Sequence, residues 1–280
     1  MTGTGIIGLI LIIANIAFSY KGFSDSLFFD RYKFEVDKIL VGKDYKRLVT
    51  SGFLHINWMH LIFNMFSLYF FSGVIEGSLG GFRFLIIYFA SMIGGEMFSL
   101  LVHKNSGDYS SVGASGAICG IIFASIALFP GMGIGLFFLP ISIPNWLFGL
   151  VFVLYSIYAV QSKKDNVGHD MHLGGALVGL LTALLMEPSA LIQNYPIILL
   201  IAVPTIAFIY IIITRPQVLY IDNYFFKQHH HYTIDDRYNQ DRHQQQMEVD
   251  RILEKISKRG MGSLSRSEKE KLKNYSEKMK

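Results

Sequence analysis

The 280-residue chain is 51% hydrophobic and 14% aromatic, only 16% of it is charged, and its mean hydropathy is +0.38. A soluble domain carries about 25% charged residues, so this composition excludes an ordinary soluble enzyme. The charge is also segregated: 14 Lys/Arg and 10 Asp/Glu lie in the 66 residues from Arg215 onward, against 11 of each in the first 214. The sequence therefore reads as an all-α, polytopic membrane helix bundle followed by a polar, basic tail. The single cysteine, Cys119, excludes an intrachain disulfide framework. The net charge of +4 resides in the tail. It supports loose affinity for anionic lipid or nucleic acid and nothing sharper, and no nucleic-acid partner is expected.

Seven apolar stretches follow one another, at roughly 4–20, 57–78, 82–102, 114–129, 144–161, 171–187 and 196–214. About 20 apolar residues cross a hydrocarbon core of about 30 Å. The runs are continuous rather than alternating, which predicts helices. The first stretch lacks the basic n-region of a cleaved signal peptide. A long loop, about 21–56, separates the first two stretches and mixes twelve charges with seven aromatics, which suits the membrane interface. The tail begins with His229, His230 and His231. Apolar residues then recur at helical spacing in 247–258, and Ser265 with Glu268 three residues on has the form of a helix start. Expected domains are 1–190 (a six-helix core), 191–220 (an additional transmembrane helix) and 221–280 (the tail).

Three local patterns carry possible chemistry. In the first, Gly113-Ala-Ser115-Gly116 stands where a polar loop turns into an apolar helix. Small neighbours leave the hydroxyl uncrowded, and free N–H groups at a helix start favour negative charge. The same string is also compatible with a plain N-cap and close helix packing. In the second, His60 and Asn64 are one turn apart on one face of the second stretch. They are either functional or an interhelical hydrogen-bonding pair. In the third, His172 opens the sixth stretch, with Gly175 and Gly179 following on its face. Gly116 and Gly120 form a matching stripe on the fourth, so the two helices can pack backbone to backbone and bring His172 to Ser115. A serine beside a histidine is the minimal activated nucleophile.

Taken together and in this order, these patterns resemble the rhomboid family of intramembrane serine proteases over roughly residues 1–190. Arg47 before LVTSGFLH, Glu76 in the GVIEGSLG segment at 73–80, and the connection at 137–144 extend the resemblance. Lys46 stands where the family often has Trp. The resemblance implies a rhomboid-like six-helix core and a serine endopeptidase that cleaves transmembrane protein substrates near the membrane face. It implies Ser115 as nucleophile and His172 as general base, with His60, Asn64 and the Ser115 N–H as the oxyanion hole. No cofactor and no metal are implied, and the sequence does not set the oligomeric state. The family orientation would face Ser115 away from the cytoplasm, whereas the loops on its side hold ten Lys/Arg and the opposite short loops only Arg83. A bacterial plasma membrane is the expected location. The rival readings are a catalytically silent rhomboid-like protein that binds or escorts membrane clients, and a small-solute transporter.

The remaining polar residues have plainer expectations. Asp170, two residues before His172, does not share its helix face and is a poor orienting group. Cys119 is read as a small packing residue, and Glu96 as protonated or paired within its span. Glu76 is expected to organise loops, and His55 to bond within the first loop. Without an HExxH pattern a zinc-protease reading fails.

Overall fold

The computed structural model describes residues 5–135, 142–162 and 168–214, together with positions 252, 255, 256, 264, 265 and 268 of the tail. All seven expected stretches are helical: α1 (Ile6–Ser24), α5 (Trp58–Leu79), α6 (Gly81–Val102), α7 (Ser115–Leu128), α8 (Asn145–Ser162), α9 (His169–Met186) and α10 (Ser189–Thr214). Five of them, α1, α5, α6, α9 and α10, are long and apolar enough to cross a membrane, and α7 and α8 contribute shorter apolar segments. Large apolar side chains point outward along the bundle, among them Ile13 on α1, Phe63 on α5, Leu154 on α8 and Ile206 on α10. Such faces suit hydrocarbon rather than water.

The first loop is not an irregular segment. It holds α2 (Ser26–Tyr32), β1 (Phe34–Glu35), α3 (Val36–Leu40), α4 (Arg47–Thr50) and a 3-10 turn at Ser51–Phe53. Arg47 organises it without the family's tryptophan: its buried guanidinium donates to the carbonyls of Asp30 (3.0 Å) and Lys33 (2.7 Å) and to Asp44 Oδ2 (3.0 Å). Phe34, Val36 and Ile39 bury a small core against Leu48, Leu100 and Tyr109. β1 pairs antiparallel with β2 (Ser110–Ser111), so the first loop is fastened to the α6–α7 connection. A second hairpin, β3 (Gly133–Gly135) with β4 (Ser142–Pro144), leads into α8. Most of the connection at 137–144 lies outside the described residues.

Two expectations about single residues are corrected. Glu76 does not organise loops: its carboxylate accepts from the Ile7 and Gly8 N–H groups, both at 2.9 Å, and so caps the start of α1. Four N–H groups at a helix start lack intrahelical partners, and a carboxylate there also meets the positive end of the helix dipole. His55 bonds outside its loop, to Ser19 on α1.

α7 is the centre of the bundle, with twelve of its fourteen residues buried. Its C-terminal end is closed by α10: Asn194, at a non-helical step in that helix, donates to the carbonyls of Ala127 (2.9 Å) and Leu128 (3.4 Å). Asn145 donates to Phe129 O (3.0 Å). α7, α9 and α6 meet through glycine. A Cβ at Gly175 would strike the Gly116 carbonyl, one at Gly179 the Gly120 backbone, and one at Gly95 the Met171 carbonyl. Backbone contact of this kind needs small residues on both partners.

The tail forms a separate unit, residues 224–280. Ser265 and Glu268 make the expected reciprocal cap: the Ser265 N–H donates to Glu268 Oε2 (2.6 Å), and the Glu268 N–H to Ser265 Oγ (3.2 Å). Lys255 pairs with Glu268 at 2.8 Å. The histidine run 229–231 and most of the expected tail helix lie outside the described residues.

The glycine contact gives a direct expectation. Gly175→Ala must push α9 off α7 and costs about 1–3 kcal/mol, the usual penalty of overpacking, read as lower thermal stability in detergent micelles. Wild-type stability in this variant would contradict the backbone contact.

Candidate active site

The site is built at the start of α7. Gly113 has φ of +136°, a conformation that side-chain-bearing residues rarely adopt. Its N–H donates to Ser51 O (3.1 Å), which fixes the turn before the helix. The missing side chain also matters for space. A Cβ on Gly113 would lie 2.8 Å from His60 Cε1, 3.0 Å from His60 Nε2 and 3.6 Å from Ser115 Oγ. The absent side chain therefore lets the His60 ring pack directly against Gly113, next to Ser115. Ser115 is the first residue of α7, so its N–H is among those that the helix leaves without a partner.

His172 sits on the first turn of α9, and its Nε2 lies 2.6 Å from Ser115 Oγ. The glycine contacts that join α7 to α9 set this distance. The ring lies against Phe152 of α8, with centroids 6.1 Å apart.

His60 and Asn64 come from α5, whose start is set by Asn57: its side chain accepts from the His60 N–H at 2.8 Å. Asn64 Nδ2 donates to His60 O (2.9 Å), which uses one of its two N–H bonds and leaves the second for another acceptor. All four residues singled out in the sequence are thus placed at the starts of three neighbouring helices: Ser115 and His172 in contact, His60 beside Ser115 across Gly113, and Asn64 one turn below His60.

His55 stands behind His60, with ring centroids 4.9 Å apart in an edge-on arrangement. Ser19 Oγ donates its one proton to Phe53 O (3.0 Å). The Nδ1 of His55, 2.9 Å from Ser19 Oγ, is therefore the donor in that contact. Burial holds the His55 imidazole far below its ordinary range, at about 3, and His60 pushes it the same way.

Asp170 points away from His172, as its position two residues earlier requires. Its Oδ2 lies 3.2 Å from His103 Nε2 at the end of α6. His169 is buried, with Nδ1 3.3 Å from Ser156 Oγ on α8. Glu96 is buried and accepts from Ser51 Oγ (2.9 Å). Cys119 is buried in the core, as a packing residue should be. Sequence reasoning missed His103 and Ser51. The only signal was that each stands in a loop or at a helix end opposite a buried acid more than forty residues away. Among the described residues no group of three His, Cys, Asp or Glu side chains could hold a metal ion.

Comparison with known proteins agrees with this architecture. The Rhomboid domain matches residues 42–189, just over half of the chain, and the chain belongs to the rhomboid family. The tail, residues 232–278, matches a family of unknown function, DUF6576. Among curated relatives, RHOMBOID-like protein 12, mitochondrial, of Arabidopsis thaliana is 29% identical over 189 residues, covering 62% of this chain and 55% of that protein. Rhomboid protein 1, mitochondrial, of Saccharomyces cerevisiae is 31% identical over 157 residues (54% and 45%). Rhomboid-like protein 11, chloroplastic, of Arabidopsis thaliana is 32% identical over 157 residues (51% and 54%). The chain spans about half the length of these relatives. It is a multi-pass integral membrane protein. The relatives' names point to organelles, so the expected bacterial plasma membrane finds no support in them.

A pH dependence follows from His55. An unfolded histidine takes up a proton near pH 6.5, whereas the folded one stays neutral down to about 3. The unfolded state therefore binds more protons in that window, and stability falls as pH falls, by about 1.4 kcal/mol per unit. Between pH 6.5 and 5 the wild type should lose roughly 2 kcal/mol more than His55→Gln, measured by thermal unfolding in detergent. Parallel losses in both proteins would contradict the neutral, buried His55.

Proposed function

We propose that the chain is an intramembrane serine endopeptidase acting through a Ser115–His172 dyad on transmembrane protein substrates. The observation that carries the reading is the 2.6 Å contact between His172 Nε2 and Ser115 Oγ at the start of a buried helix. A hydroxyl is a weak nucleophile until a neighbouring base can take its proton. Ser115 Oγ attacks the scissile carbonyl carbon while His172 Nε2 takes the hydroxyl proton. The carbonyl oxygen becomes an oxyanion, met by the Ser115 N–H, the second N–H of Asn64 and His60. His172 passes its proton to the leaving amine as the C–N bond breaks, which leaves an acyl ester on Ser115. Water then attacks the ester with His172 again as base, releasing the new carboxyl terminus and the free hydroxyl.

The length of α7 supports a membrane-embedded substrate. Fourteen residues rise about 21 Å, short of a core of about 30 Å. With its far end closed by Asn194, such a helix starts below the membrane face. A scissile bond there must come from a segment that unwinds within or at the edge of the bilayer, where small residues ease the unwinding. Irregular backbone and water at that depth are tolerated only in a protein-lined cavity, so the reading requires water to reach Ser115 along a protein-lined path.

A fluorophosphonate serine probe applied to the folded protein in detergent tests the dyad. Wild type should label, and both Ser115→Ala and His172→Ala should lose labelling. Asn64→Ala should slow it by roughly a hundredfold, the usual cost of an oxyanion donor. An unlabelled wild type with its fold intact would sink the reading and favour a silent client-binding protein.

A further inference from the structure

The first turn of α9 sends three side chains to three different helices. His169 reaches Ser156 on α8, Asp170 reaches His103 at the end of α6, and His172 reaches Ser115 on α7. Successive helical residues are about 100° apart, so one turn can address all three neighbours. The glycine contacts fix α9 along its length from Met171 downward. Above them, the end of the helix is held by these side chains.

Of the three, the Asp170 contact is the one that sets a carboxyl group against an imidazole. Asp170 is buried, and its acidic neighbour is Glu96. Ser99 and Tyr109 also face it. Among the described residues His103 is the basic group on Asp170. A buried carboxylate near a second acid is tolerated only with such a partner. His103 is itself held in place. Its ring is stacked flat on Tyr109, with centroids 3.6 Å apart and planes 6° apart, and Tyr109 packs on Phe34 of the first-loop core. The chain of contact runs from the first loop through Tyr109 and His103 to Asp170. Two residues further along the same turn is His172.

We propose that His103 and Asp170 are positioning residues for His172: their pair fixes the rotation and height of the first turn of α9, and so the distance from His172 Nε2 to Ser115 Oγ. Neither touches the reacting atoms. The proposal rests on the Ser115–His172 reading and adds to it a latch that joins α6, and through Tyr109 the first loop, to the general base. Small misplacement of a catalytic group is costly, about a hundredfold for 1 Å.

The test is the kinetics of fluorophosphonate labelling of the full chain in detergent, with thermal unfolding of every variant alongside. Asp170→Asn keeps the shape and removes the charge. His103→Phe keeps the stack on Tyr109 and removes the ring nitrogen that faces Asp170, and His103→Arg keeps both a stacking plane and an N–H donor. Asp170→Asn and His103→Phe should lower the maximal labelling rate at saturating probe by roughly tenfold or more, with half-saturation near wild type; His103→Phe leaves the Asp170 carboxylate without its partner and should also lower the thermal midpoint, so each rate is read well below the midpoint of its variant. His103→Arg should recover most of the rate, and the double variant should be no slower than the worse single one. Wild-type rates in Asp170→Asn and His103→Phe overturn the latch while leaving the dyad standing. So does a rate that falls only as far as the thermal midpoint does, or a failure of His103→Arg to restore what His103→Phe loses. A folded wild type that never labels overturns the dyad reading and the latch together.

Discussion

The structure depends on the approach of α9 to α7 at the Gly175–Gly116 and Gly179–Gly120 contacts. In a bilayer the lipid tails are as apolar as the helix surfaces, so association rests on close packing rather than on escape from water. Glycine at facing positions lets two backbones touch, and this contact sets the height of His172 against Ser115. The same contact leaves α7 buried on nearly every side, which lets a 14-residue helix sit within a bundle of longer ones.

The polar parts are arranged around that packing. Glu76 caps α1, Arg47 collects the carbonyls of the first loop, and Asn194 closes the end of α7. Each satisfies main-chain groups that would be costly in hydrocarbon. His55, Ser19 and the Phe53 carbonyl form a short chain behind His60, and the one hydroxyl proton of Ser19 sets which ring nitrogen of His55 donates. The α10 helix lies beyond the matched Rhomboid domain, yet its Asn194 bonds to the helix that begins with Ser115. The bundle is therefore braced by a segment outside the matched region.

Much of this was legible in the residues. The seven helices follow from run length, because only a continuous apolar helix satisfies its own backbone in lipid. The meeting of Ser115 and His172 follows from glycines at matching spacing on two stretches, a pattern that has few other uses. The first loop was not legible. Its charges and aromatics have no period, and Arg47 binds main-chain carbonyls, which leave no trace in side-chain identity. Glu76 and Ile7 are 69 residues apart, and no local rule pairs a carboxylate with a distant helix start. His103 and Asp170 were hidden for the same reason: each looks ordinary at its own helix end, and only the packing of α6 on α9 makes them partners.

The central claim is that this packing turns Ser115 and His172 into a proteolytic unit within the bilayer. Reconstitution into liposomes with a fluorogenic transmembrane substrate tests it most directly, comparing wild type with Ser115→Ala and His172→Ala. The account predicts cleavage by the wild type and a loss of about a thousandfold or more in either variant. Cleavage that persists in Ser115→Ala, or none by a folded and probe-reactive wild type across a panel of transmembrane substrates, would contradict it.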